Sequence, residues 1–226
     1  MLAVGHISLA YILGKISSKT LKVNPSIPLL MTLSILPDID IAIGTLIGST
    51  IHRGPTHSIL FALIVFTPIF IIYKKRAIPY FIAYISHFLI GDFFVGGHLQ
   101  LLWPLTTSTF GLHDAGFMYI GINDPINITT ELLLFTLTVI LIAKTRDYRK
   151  FLKNNDKKNL ILIIPITTVL LPNFIGYPFS MPIFSALPIM GIAHLFYFIL
   201  FTIPILTILY NTIKNHKPKH TNNKIS

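Results

Sequence analysis

Repeated apolar runs, each about as long as a lipid bilayer is thick, constrain this chain more than any motif in it. They lie at about 2–17, 27–48, 57–73, 78–95, 128–143, 160–181 and 187–210. Runs of about 17–24 apolar residues can cross a hydrocarbon core roughly 30 Å thick as helices. Inside a bilayer only helices and closed barrels satisfy their own backbone polar groups. Composition agrees, with 12% charged residues and a mean hydropathy of +0.71; soluble domains carry roughly twice that charge. The expected fold class is therefore all-α, a polytopic transmembrane helical bundle of about seven helices, or six if the short first run is re-entrant. One domain is expected over 1–210, followed by a polar, basic and disordered tail over 211–226. Pro165, Pro172 and Pro178 should kink or partly unwind the sixth run. Residues 1–16 lack the charged start and small-residue cleavage site of a signal peptide, so the first run is read as part of the structure.

Basic residues set an expected orientation. All 18 lysines and arginines except Arg53 fall in segments that seven crossings would place on one side. Such a bias marks the cytoplasmic face, which puts the N-terminus outside and the C-terminus in the cytoplasm of a multi-pass cell-membrane protein. The net charge of +10 resides in these short clusters, without a basic helix face or an RNA-binding motif, so nucleic acid is not an expected partner. The absence of cysteine excludes disulfides, thiolate zinc sites and cysteine nucleophiles.

The scarce acidic residues then become informative. Asp38 and Asp40 lie inside the second run, in Leu36-Pro37-Asp38-Ile39-Asp40, and ionisable groups at membrane depth usually mark a functional site. Pro37 should break the helix and put Asp38 near the start of a second half-helix, where the dipole favours a carboxylate. Capping of a kinked helix is the alternative role for the two aspartates. His52-Arg53-Gly54-Pro55-Thr56-His57-Ser58 precedes the third run. Gly54-Pro55 supplies a turn and Thr56 a natural N-cap. This local grammar leaves the two imidazoles and the arginine unexplained. Imidazole is a common zinc ligand, and Arg53 has the planar fork that suits phosphate or carboxylate; a plain interfacial anchor is its other reading. His87 and Asp92 are five apart, so a regular helix would not put them on one face, and a helix ending or bulging at Gly91 would be needed to unite them. His6, His98, His113 and Asp114 also fall toward the outer half, whereas His194 reads as a core histidine. Trp103 suits an interface anchor or a lid, and Asn127 opens a glycosylation sequon.

Gly5-His6, Leu36-Pro37-Asp38-Ile39-Asp40, the 52–58 string, Ser86-His87 with Asp92, and Leu102-Trp103-Pro104 together resemble the membrane-bound metal-dependent hydrolase family. The likeness covers residues 1 to about 105, in matching order. It implies an integral membrane hydrolase whose histidines and aspartates bind metal. One departure is that members often place the aspartate four residues after the Ser-His histidine, and here it is five. On this reading the metal candidates are His6, Asp38, Asp40, His52, His57, His87 and Asp92. Zinc is the foremost cofactor, with manganese or iron also compatible, as one or two ions. Asp40 or Asp92 would take a proton, and Arg53 would steady developing negative charge. Membrane lipids are the expected partners and a lipid phosphoester the expected substrate. A metal or proton transporter would also place His and Asp in helices, but should show two related halves; a membrane scaffold would need no metal.

Overall fold

The computed structural model describes residues 1–48, 51–151 and 156–215. Helix occurs in each of the seven apolar runs. We label the principal helices α1 (Ala3–Leu21), α2 (Ile27–Leu33), α3 (Ile39–Ile47), α4 (Ile59–Tyr73), α5 (Ile78–Ser86), α6 (Pro125–Thr145), α7 (Lys157–Ile175) and α8 (Pro188–Asn215). No strand occurs among the described residues; Leu99 and Phe110 form an isolated antiparallel bridge. By length and apolarity α6, α7 and α8 are each able to cross a bilayer, and the bent pair of α2 with Leu36–Gly44, turned by 48°, makes up to four. The other three fall short for physical reasons. His6, Lys15 and Lys19 dilute the apolarity of α1, α4 has 15 residues, and α5 has nine before its pitch changes.

The burial pattern is that of a protein solvated by lipid. Along α8, Met190, Ala193, Tyr197, Phe201 and Ile205 are buried, while Ile189, Ile192, Ile199, Ile203 and Leu206 on the opposite side are exposed. Apolar side chains therefore occupy both faces, as expected where the surroundings are hydrocarbon and not water.

α1 is the centre of the bundle and packs against α2, α5, α6 and α8. Gly14 permits a close approach to α2, because a Cβ there would lie 2.8 Å from Leu30. Ser8 Oγ and Tyr197 OH are 2.7 Å apart, a hydrogen bond tying α1 to α8. At the start of α1, the Glu131 carboxylate of α6 accepts from Leu2 N at 2.7 Å and Gly5 N at 3.0 Å, supplying from another helix the cap that no local side chain provides. At the other end, Asp147 is buried between Lys15 (2.8 Å), Lys150 (3.0 Å) and the Tyr11 hydroxyl (2.8 Å). Burial alone would raise the pKa of Asp147, but the hydrogen bonds from Lys15, Tyr11, Thr145 and Lys150 outweigh it and hold the value at about 2. The bundle thus has an end where Lys15 and Lys150 meet around Asp147, and an opposite end where Asp38, Asp40 and Asp92 gather with His6, His52, His57 and His87.

Three local expectations are corrected. Ser58, not Thr56, caps α4: its Oγ accepts from Leu60 N and Phe61 N, leaving Thr56 for a different task. The sixth run stops being helical at Ile175, short of 181, after 3₁₀ and π segments around its prolines. α8 continues to Asn215, so the first five residues of the expected tail are helical; the rest of the tail, 216–226, lies outside the described residues.

Candidate metal centre

Breaks in regular helix create the site. Pro37 interrupts the second run with a 3₁₀ turn, Leu36–Asp38, after which Asp38 stands at the N-cap position of α3. Its side chain makes no capping hydrogen bond, so capping does not account for it. Asp40 follows in the first turn. The 52–58 string folds as a turn and a 3₁₀ segment, Pro55–His57, with Arg53 in the left-handed region at φ 67°. The five-residue spacing of His87 and Asp92 is resolved by backbone pitch. His87–Asp92 is a π turn, and i→i+5 bonding brings residues five apart onto one face. Gly91 within it leaves room for His6, whose Nδ1 would lie 2.6 Å from a Cβ at that position.

Four ligating atoms converge. His87 Nε2 lies 3.3 Å from Asp38 Oδ1 and 3.4 Å from Asp92 Oδ2, and His57 Nε2 lies 3.8 Å and 3.5 Å from the same atoms. Each of these four residues offers a ligand atom within 4.8 Å of the others. Donors about 2.0–2.2 Å from a tetrahedral zinc are about 3.3–3.6 Å apart, so the cluster has nearly the right size for one ion. The imidazoles are also correctly prepared. His87 Nδ1 is 2.6 Å from Ser34 O and His57 Nδ1 is 3.2 Å from Asp40 Oδ2. These acceptors place the proton on Nδ1 and leave Nε2 as the lone-pair nitrogen. Both Nε2 atoms are buried without a hydrogen-bond partner. Buried polar atoms are rarely left unpaired, and a divalent cation would pair them.

The remaining expected ligands stand around this cluster. Asp40 lies 3.0 Å from His52 Nδ1 and accepts from Thr56 Oγ1 (2.8 Å) and Arg53 N (3.2 Å). Asp40, His52 and His57 form a second possible ligand group, but it would use His57 Nδ1, the nitrogen facing Asp40. His6 stacks on His87 with ring centroids 3.8 Å apart, and its Nε2 lies 3.4 Å from Asp92 Oδ1. The Met1 ammonium lies 3.1 Å from the same oxygen. Arg53 Nε is 4.0 Å from Asp92 Oδ2, and its guanidinium donates to Gly97 O at 2.8 Å.

A cavity of about 230 Å³ adjoins the cluster, with Asp38, His52, Arg53 and Asp92 among its polar lining. Leu2, Ile41, Ile122 and Val169 give it apolar walls, and Asn173, Tyr177 and Pro178 at the end of α7 complete it.

Residues 1–178 match the sequence model of the YdjM inner membrane protein. The chain belongs to that family. No curated protein matches it, and neither does any solved structure. The region it shares with the YdjM family contains all four converging residues and extends to the Tyr177-Pro178 wall of the cavity.

Other histidines lie elsewhere. His98 pairs with Asp114 at 2.7 Å and stands near His113, in the loop after α5 and in neither ligand group. His194 lies 2.8 Å from Met190 O one turn back in α8. Asn127, the sequon asparagine, is buried and donates to Ile122 O, which leaves it unavailable for glycosylation in this fold. Sequence reading overlooked Glu131, Asn173 and Tyr177. Glu131 was findable, being the chain's one glutamate and set in an apolar run; Asn173 and Tyr177 carried no comparable signal.

Proposed function

We propose that this membrane protein is a metal-dependent hydrolase acting on a phosphoester of an amphiphilic lipid or its headgroup. The observation that carries the reading is the convergence of two buried, unpaired imidazole nitrogens and two carboxylates at the separations of a four-donor site. Asp38, His57, His87 and Asp92 would hold the ion, and zinc fits the mixed nitrogen and oxygen donors. A divalent ion bound there supplies Lewis acidity toward water and an ester oxygen.

The chain's own groups do the rest. Asp40 and Ser34 O orient the two imidazoles, and Thr56 and His52 fix Asp40 in turn. Asp92 would hold the ion through Oδ2, with the Met1 ammonium and His6 orienting its carboxylate from the Oδ1 side. Arg53 binds the anionic group of the substrate at the cavity wall. The apolar lining from α1, α3 and α7 receives the adjoining hydrocarbon and excludes water.

Incubating the purified, metal-loaded protein with a panel of lipid phosphoesters in proteoliposomes tests this. Hydrolysis of at least one class is expected, reduced roughly 10–100-fold in Arg53→Lys with bound metal retained. A loaded protein inert toward the whole panel would remove the hydrolase reading. Loss of metal from Arg53→Lys would instead assign Arg53 to holding Asp92.

On the same reading the metal centre faces outward and the end with Lys15 and Lys150 faces the cytoplasm. The chain has no cysteine, so a single Ser108→Cys, on the exposed loop after α5, reports on orientation. It should react with an impermeant maleimide on intact cells; labelling only after permeabilisation would invert the topology.

A further inference from the structure

The loop that follows Asp92 does more than close the chain, because it grips Arg53. Gly97 O accepts from the guanidinium at 2.8 Å, and Gln100 N donates to Arg53 O at 3.1 Å. Gly97 N in turn donates to Asp92 O at 3.0 Å, so the same loop is hung on a residue of the metal cluster. Gly96 supplies the space. A Cβ there would lie 2.5 Å from one terminal nitrogen of Arg53, 2.6 Å from the other and 2.9 Å from Cζ. Two separate demands meet at this position, because Gly96 also has φ 90°, a conformation that side chains resist. Within this cradle Arg53 Nε is buried without a hydrogen-bond partner, so the guanidinium retains donor capacity beside the cavity.

We infer that residues 96–100 form a positioning device for Arg53, with Gly96 setting where the guanidinium can lie and hence where an oxyanion such as phosphate binds. This rests on the reading of Arg53 as the anion-binding group. Bidentate recognition depends on the planar fork being held in one orientation. Displacing it from Gly96 should therefore weaken anion binding without replacing a metal ligand.

Gly116 provides the control. Its φ of 84° imposes a similar backbone penalty, but a side chain there would meet nothing within 4 Å. Binding of inorganic phosphate to the metal-loaded, detergent-purified protein should weaken on the order of tenfold or more in Gly96→Ala, and remain near the wild-type value in Gly116→Ala, with metal content unchanged in both. Arg53→Gly empties the space, so Gly96→Ala/Arg53→Gly should bind phosphate no more weakly than Arg53→Gly alone. If Gly96→Ala fails to fold while Gly116→Ala, with its similar φ, folds, the same double variant should restore folding, and continued misfolding would overturn the inference. Equal phosphate binding in Gly96→Ala and Gly116→Ala would also overturn it while leaving the anion-site reading intact. A wild-type protein that binds no phosphate would sink the anion-site reading and the inference together.

Discussion

His57→Ala is expected to strip the metal from the purified protein. His57 Nε2 is one of four converging donors and is buried without a hydrogen-bond partner. Groups that merely orient a ligand commonly account for 10–100-fold in metal affinity. Removing the ligand itself should therefore cost more than about 100-fold, whereas Asp40→Asn, which keeps His57 and changes the group behind it, should fall within about 10–100-fold. Stability should follow occupancy, since an ion that binds the folded chain stabilises it. A chelator should lower the melting temperature of the wild type and leave that of His57→Ala unchanged. Elemental analysis alongside thermal unfolding in detergent reads both, and full metal retention by His57→Ala would contradict the proposed ligand set.

Glu131→Ala should destabilise the fold without replacing any group of the metal cluster. The carboxylate accepts from Leu2 N and Gly5 N in a fully buried setting. Truncation leaves Leu2 N without its partner, while Gly5 N keeps a bond to Leu2 O at 3.1 Å, so a loss of about 1–3 kcal/mol is expected. Glu131→Gln keeps one acceptor but turns an amide toward the other donor, and should fall between. The first turn of α1 carries His6 beside His87, so metal affinity should fall with stability. Denaturant unfolding of the three proteins in one detergent would show the order; equal stability of Glu131→Ala and wild type would mean the α1 cap does not matter.

Much of this architecture was legible because local chemistry and tertiary need coincide. Leu36-Pro37-Asp38 announces a broken helix, and the break is what lets Asp38 and Asp40 serve different sides of His57. In the 52–58 string, Gly54 and Pro55 read correctly as a turn. Thr56 was misread as a cap because sequence shows which hydroxyls can cap a helix, not that the carboxylate of Asp40 would claim one of them at 2.8 Å. The His87 and Asp92 spacing argued against a shared face under the pitch of an ordinary helix, and only the backbone reveals the π turn that reverses this. Asn173 and Tyr177 were invisible for another reason. They reach the cavity through the packing of α7 against distant parts of the chain, a long-range arrangement with no periodic signature in the run that contains them.

X-ray absorption at the metal edge of the purified wild-type protein tests the central claim most directly. A first shell of nitrogen and oxygen donors at about 2.0–2.2 Å is expected for zinc, with outer scattering from two imidazole rings. That imidazole signal should fall by about half in any metal that His57→Ala still holds. A protein that binds no stoichiometric metal, or one whose imidazole scattering persists when both His57 and His87 are replaced, would contradict the account.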